Sequence, residues 1–171
     1  MIPQLDDLSP ALARCGRVFR SVATRRFISE LSGADCSGDA RIAAAWYRPN
    51  DYAMPHDDSN TRDPRSVAYI WYLTKEWCPE WGGALFWCPT GQYIIPRFNM
   101  LVMFNVTHAN MHGVCPVSTA MTAKRLTING FWHGTGVRPT VIPDLRDSPI
   151  SPRAYGPMPS EDEGLGPVII L

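Results

Sequence analysis

His56, Asp57 and Asp58 stand side by side, and two further histidines, His108 and His112, follow downstream. A His and an Asp two positions apart on extended chain point to the same side, so His56 and Asp58 can reach one ion. Two imidazoles and one carboxylate form a facial set. On iron(II) this set leaves room for a bidentate 2-oxo acid and O₂. His108 and His112 compete for the third place: they lie four apart, and extended chain aims both at one face. By itself the His-Asp-Asp run reads equally well as a polar surface turn, and a lone distal histidine is more often structural than ligating.

The surrounding chain has to position these groups. Residues 9–32 read as helix: Ser9 caps, Pro10 fits the first turn, and Leu12, Val18, Val22, Phe27, Ile28 and Leu31 recur at helical spacing. Gly33 is a C-terminal stop. From Arg41 the pattern changes to strand. RIAAAWY, SVAYIWYL, GALFWC, YIIP, NMLVMFNV and KRLTINGFW are short, rich in β-branched or aromatic residues, and mostly bounded by Pro, Gly, Asn or Asp. Such a series predicts a mainly β sandwich or barrel with its helix at the N-terminus. After Trp132 the chain turns Pro- and Gly-rich and carries the acidic run SEDEG. We expect one domain over 1–134, with its β-core over about 41–134, followed by an arm over 135–171. The last residues, GPVIIL, are apolar enough to dock on something.

The 171 residues suit one domain, and 45% apolar with 19% charged residues is a globular balance. A formal net charge of +0 does not steer the chain to nucleic acid or to an anionic membrane. No secretory signal or membrane-spanning run is visible, so we expect no membrane partner. Cys15, Cys36, Cys78, Cys88 and Cys115 are odd in number and without zinc-ligand spacing. They read as reduced thiols of a cytoplasmic protein.

YRPNDYAMPHDD, SVAYIWYLTKEWCPEWGGALFWC, PRFNMLVMFNVTHANMHGVCPV and KRLTINGFWHG follow one another in this order. Together they resemble the prolyl-hydroxylase branch of the iron(II)- and 2-oxoglutarate-dependent oxygenases, in particular the oxygen-sensing and ribosomal-protein prolyl hydroxylases. The likeness covers about residues 41–134 and implies a double-stranded β-helix (a cupin-like jelly roll). It implies that His56, Asp58 and His112 hold iron. His112 is preferred to His108 because HGV matches the family's His-x-Val and because its distance to Arg125, thirteen positions, is nearer the family's usual one, though slightly longer than in the oxygen-sensing relatives.

Arg125 matches the arginine that pairs with the distal carboxylate of 2-oxoglutarate, where a guanidinium forks two parallel bonds. Lys124 is the alternative, since neighbours on a strand face opposite ways and only one points inward. Tyr72 matches a tyrosine that bonds the same carboxylate, and Tyr47 one that lines the cosubstrate pocket. Asn129 shares a strand face with Arg125 and Thr127 and is expected to touch the cosubstrate. Gly82 and Gly83 are expected to serve a tight turn or close backbone approach.

The resemblance implies Fe(2+), 2-oxoglutarate and O₂, with ascorbate as a supporting reductant. Retention of Asp58 favours hydroxylation over halogenation. The expected substrate is a prolyl residue of a protein or peptide. A free amino acid or natural-product intermediate is the alternative, and a non-catalytic binding module on the same fold is the second. SNTRDPRS, after Asp58, is a candidate lid or a plain solvated connection. Trp46 and Trp87 are expected in the core.

Overall fold

Two serines set the N-terminal helices. In the computed structural model, which describes residues 9–60, 62–135 and 168–170, Ser9 accepts a hydrogen bond from the Leu12 N–H and opens α1 (Pro10–Arg20). Ser21 then takes an extended conformation and accepts from the Thr24 N–H, which ends α1 and opens α2 (Val22–Ser32). The single helix expected over 9–32 is therefore two. A serine in a helix interior can bond the backbone ahead of it instead, and here it does so as a cap. The break shifts the helical phase, so Val18, Val22 and Phe27 are exposed while Leu12, Cys15, Phe19, Ile28 and Leu31 face the core. Gly33 ends α2 at a φ of 69°, as expected of a left-handed cap.

The strands are β1 (Ala40–Tyr47), β2 (Ala53–His56), β3 (Arg65–Tyr72), β4 (Leu85–Trp87), β5 (Gln92–Ile94), β6 (Leu101–Asn105), β7 (His112–Val114), β8 (Arg125–His133) and β9 (Val168–Ile170). They form a large sheet in the order β1-β8-β3-β6-β9 and a small one in the order β2-β7-β4-β5. This is the two-sheet jelly roll expected from the sequence. β2 and β7 show no strand signal in the sequence because they are short and each carries a histidine, with a Pro in β2 and a Gly in β7. β9 falls in the expected arm: Val168–Ile170 pair as a parallel strand on the edge of β6. The rest of that arm, 136–167 and 171, lies outside the described residues.

Side-chain alternation builds two apolar layers. On the outer face of the large sheet, Val67, Tyr69, Met103, Ile128 and Trp132 pack under the helices. The Trp132 ring stacks on Phe19 at 5.6 Å, and its Nε1 donates to the Phe19 carbonyl. Between the sheets lie Ala68, Tyr72, Leu85, Trp87, Val102 and Phe104. Trp87 is in the core as expected; Trp46 is 57% exposed. Trp46 pairs across β1–β8 with Leu126, also exposed, and it alternates away from Tyr47, which faces the opposite side.

One close approach fixes β1 against β8. A Cβ on Gly130 would lie 1.9 Å from the Arg41 carbonyl oxygen and 2.9 Å from the Tyr69 hydroxyl, which itself donates to that carbonyl. Gly130→Ala is expected to push β1 outward and cost about 1–3 kcal/mol or more, as overpacking does. Urea unfolding measures it; an unchanged midpoint would show that the strand pair yields freely there.

Candidate metal centre and cosubstrate pocket

Antiparallel pairing aligns the first elements of the site. β2 meets β7 with His56 opposite His112, and β7 meets β4 with His112 opposite Trp87. Directly opposed residues share a face, so both imidazoles enter the space between the sheets. His112 is buried against Phe104, its ring 4.4 Å away, and lies 6.2 Å from the Trp87 ring. His56 is at the rim, with its ring 4.5 Å from that of His112.

Each imidazole is oriented by its own backbone. His56 Nδ1 lies 2.7 Å from the Met54 carbonyl oxygen, and His112 Nδ1 lies 3.1 Å from that of Asn110. A carbonyl only accepts, so each Nδ1 carries a proton, which leaves Nε2 as the nitrogen each imidazole can offer to a metal. Asp58 follows the end of β2 in a left-handed conformation, φ 59°. Its Oδ1 lies 3.5 Å from His56 Nε2 and its Oδ2 lies 3.2 Å from His112 Nε2. One donor atom from each of the three residues lies within 4.8 Å of the others. At metal–ligand bonds of about 2.1 Å, adjacent donors stand about 3 Å apart. The donor set fits an ion after a small closure at the exposed His56.

His108 is elsewhere. It is 89% exposed, and its Nδ1 bonds Asp57 Oδ2, a contact that holds the Asp57 carboxyl below its ordinary pKa. The structure thus brings His112, not His108, to His56 and Asp58.

Arg125 is buried, 2% exposed, while Lys124 is exposed with its ammonium near the Trp46 ring. Arg125 Nε donates to the Gly83 carbonyl at 2.7 Å and Nη2 to the Tyr72 hydroxyl at 3.4 Å. Its guanidinium carbon lies 4.9 Å from the Tyr47 ring and 5.0 Å from the Tyr72 ring. Gly83 combines the two roles expected of it. Its φ is 65°, and a Cβ there would meet Arg125 Cδ at 2.9 Å. Among the described residues no carboxylate pairs with Arg125. Burial raises the Tyr72 phenol pKa, partly opposed by the Arg125 charge, so Tyr72 stays a protonated donor.

A cavity of about 560 Å³ opens beside the triad. His56, Asp58, His112, Tyr47 and Asn129 are on its wall, where small Ala43 and Ala68 leave room. Asn129 is on the inner face as expected, and its Oδ1 is buried without a hydrogen-bond partner. Arg125 and Tyr72 are not among the residues of this wall, and the lining side chain of Tyr47 lies beside Arg125. The sequence reading missed the Gly83 carbonyl that orients Arg125; the Gly-Gly pair after Trp81 marked a close approach without naming its partner.

Residues 42–133 match the 2OG-Fe(II) oxygenase superfamily, and the chain belongs to that family. The donor set and the family's iron(II) and 2-oxoglutarate agree. The chain is 30% identical over 146 residues to the prolyl 3-hydroxylase OGFOD1 of Mus musculus, a match covering 80% of this chain and 26% of that protein. It is 34% identical over 122 residues to the prolyl 3-hydroxylase sudestada1 of Drosophila melanogaster, covering 63% and 22%. It therefore spans about a quarter of the length of these relatives. Its fold is similar to that of a Pseudomonas putida prolyl-4-hydroxylase, with a TM-score of 0.57 at 23% identity, covering 75% of this chain and 67% of that one.

His112→Ala is expected to weaken iron(II) uptake on the order of 100-fold or more, beyond the loss typical of outer partners. His108→Ala should leave it within about threefold. Anaerobic iron(II) titration compares them, and the reverse ranking would move the third ligand to His108.

Proposed function

We propose that this domain is an iron(II)- and 2-oxoglutarate-dependent hydroxylase that acts on a prolyl residue of a protein or peptide. The observation that carries the cosubstrate assignment is Arg125, a buried guanidinium without a carboxylate partner among the described residues, close to a His-Asp-His cluster. Burying a charge is costly unless it is paired. A dicarboxylate whose other end chelates the metal supplies the missing partner.

His56 Nε2, Asp58 and His112 Nε2 hold the ion. When bound, iron(II) and 2-oxoglutarate supply the chemistry: O₂ is reduced as the 2-oxo acid loses CO₂ to become succinate, and one oxygen atom enters a substrate C–H bond. Arg125, fixed by Gly83, forks onto the distal carboxylate, and the protonated Tyr72 hydroxyl donates to it. Tyr47 gives way or turns as that carboxylate arrives, because it is the lining residue beside Arg125. Asn129 offers an amide to the bound group on the same wall. Trp87, Phe104 and Leu85 keep the buried side of the site apolar, which strengthens these polar contacts. Asp58 occupies the carboxylate-ligand position, which favours hydroxylation over halogenation.

Prolyl hydroxylation is favoured because the named relatives are prolyl hydroxylases. Hydroxylation of a free amino acid is the alternative outcome. Ascorbate is expected to support turnover by keeping iron ferrous. A cytoplasmic setting goes with five cysteines that form no disulfide. No helix among the described residues is long and apolar enough to cross a membrane.

Succinate release over prolyl peptides, free proline and other amino acids tests the substrate. Prolyl peptides should stimulate it most; stimulation by free amino acids alone would replace the peptide reading. Arg125→Ala should raise the KM for 2-oxoglutarate about 100-fold, the loss of a bidentate charged pair. An unchanged KM would remove the cosubstrate assignment.

A further inference from the structure

The carboxylate ligand stands on the part of the site with the least sheet support. Asp58 belongs to no strand, and neither do the other described residues from Asp57 to Pro64. Its φ of 59° is in the left-handed region, which a residue with a Cβ occupies at some cost. Something outside the sheet ladder has to keep its side chain turned toward the histidines.

Arg65, the first residue of β3, is placed to do this. Its Nη1 donates to the Asp58 carbonyl oxygen at 3.1 Å and lies 3.8 Å from Asp58 Oδ1. The same guanidinium is anchored twice more. Nε donates to Asp63 Oδ2 at 3.1 Å, and the Arg65 guanidinium carbon sits 4.0 Å over the Phe131 ring. Asp63 in turn holds Arg41 at 3.1 Å and lies 3.0 Å from His133 Nε2. So β1, β3 and β8 converge through Asp63 on the arginine that touches Asp58. A planar fork held at three points has little freedom left, and its orientation is passed to Asp58.

We propose that Arg65 is a positioning residue that keeps Asp58 a one-oxygen ligand; this rests on the metal site proposed above. The two carboxylate oxygens have different neighbours. Oδ2 lies 3.2 Å from Nε2 of buried His112, while Oδ1 lies between His56 Nε2 at the rim, 3.5 Å away, and Arg65 Nη1 at 3.8 Å. The arginine's positive charge attracts Oδ1 away from an ion that Oδ2 meets. The consequence is a count of positions. Two imidazoles and one carboxylate oxygen leave three places on an octahedral ion, enough for a chelating 2-oxo acid and O₂. A second oxygen from Asp58 would take one of these and leave too few. Arg65 therefore acts on metal affinity and on the vacant positions together, without touching the reacting atoms.

The test is Co(II) titration of the folded protein in air, followed by its visible d–d spectrum, with thermal unfolding of every variant. Arg65→Met removes the fork at similar length and should weaken Co(II) binding about 10- to 100-fold, the range for partners of metal ligands. Its Co(II) spectrum should change as Asp58 is released. Arg65→Lys keeps the charge but cannot fork to Asp58 and Asp63 together. It should recover part of the affinity and stay at least about threefold weaker than wild type. Arg41→Met also loses an Asp63 contact but touches no ligand, and should bind Co(II) within about threefold of wild type. Folded Arg65→Met that binds Co(II) within twofold of wild type with an unchanged spectrum would overturn the proposal. So would Arg41→Met weakening binding as much as Arg65→Met, since the effect would then belong to general support. If Arg65→Met fails to fold, Arg65→Lys decides: wild-type affinity and spectrum overturn the proposal. Wild-type protein that takes up no Co(II) would overturn the metal site as well, whereas the other failures leave that site standing.

Discussion

A guanidinium buried at 2% exposure, without a carboxylate beside it among the described residues, is the constraint on which the site turns. Two tyrosine faces and one backbone carbonyl solvate Arg125 in part, but none of them carries a negative charge. A protein keeps such a group when something that binds completes it. The scaffold has been shaped around this position. Gly83 omits the side chain that would strike the arginine stem, and Tyr72 stays protonated, so the phenol can donate toward the same anion.

The rest of the site follows from strand register. The small sheet puts His56, His112 and Trp87 in one row, and the large sheet puts Arg125, Thr127 and Asn129 on the face that looks toward them. A slip of one residue in either sheet would turn the whole set outward. That is why tight devices such as Gly130 against Arg41 matter away from the chemistry. The ions at the rim are arranged differently: Asp63 gathers Arg41, Arg65 and His133 where the chain lacks ladder bonds. Hydrogen bonding by side chains replaces sheet pairing at the segment that carries Asp58.

Much of this was legible in the sequence, and the reasons are physical. The long strands announced themselves by β-branched and aromatic content; alternation allowed only one of Lys124 and Arg125 to point inward, and the likeness of RLTINGFW favoured Arg125. His112 stood out from His108 through the motif around it, and strand pairing sets His112 opposite His56. Other features stayed hidden. β2 and β7 are too short and polar to show a period. Ser21 breaks the helix because its hydroxyl finds the Thr24 N–H, a choice that helical spacing alone does not reveal. Trp46 looked like core because large aromatics usually are, yet strand parity turns it outward with Leu126. The Arg65–Asp58 contact needed the fold in space, since the two stand seven positions apart in the sequence.

The central claim is that one cavity holds iron(II) and 2-oxoglutarate together, chelated at the triad and anchored at Arg125. The most direct measurement is the visible spectrum of the folded protein under anaerobic conditions, with iron(II) and 2-oxoglutarate added separately and then together. A weak charge-transfer band should arise only when both are present, because it needs the 2-oxo acid chelated to the bound metal. Absence of that band in correctly folded protein, with both added well above the concentrations needed for binding, would contradict the account.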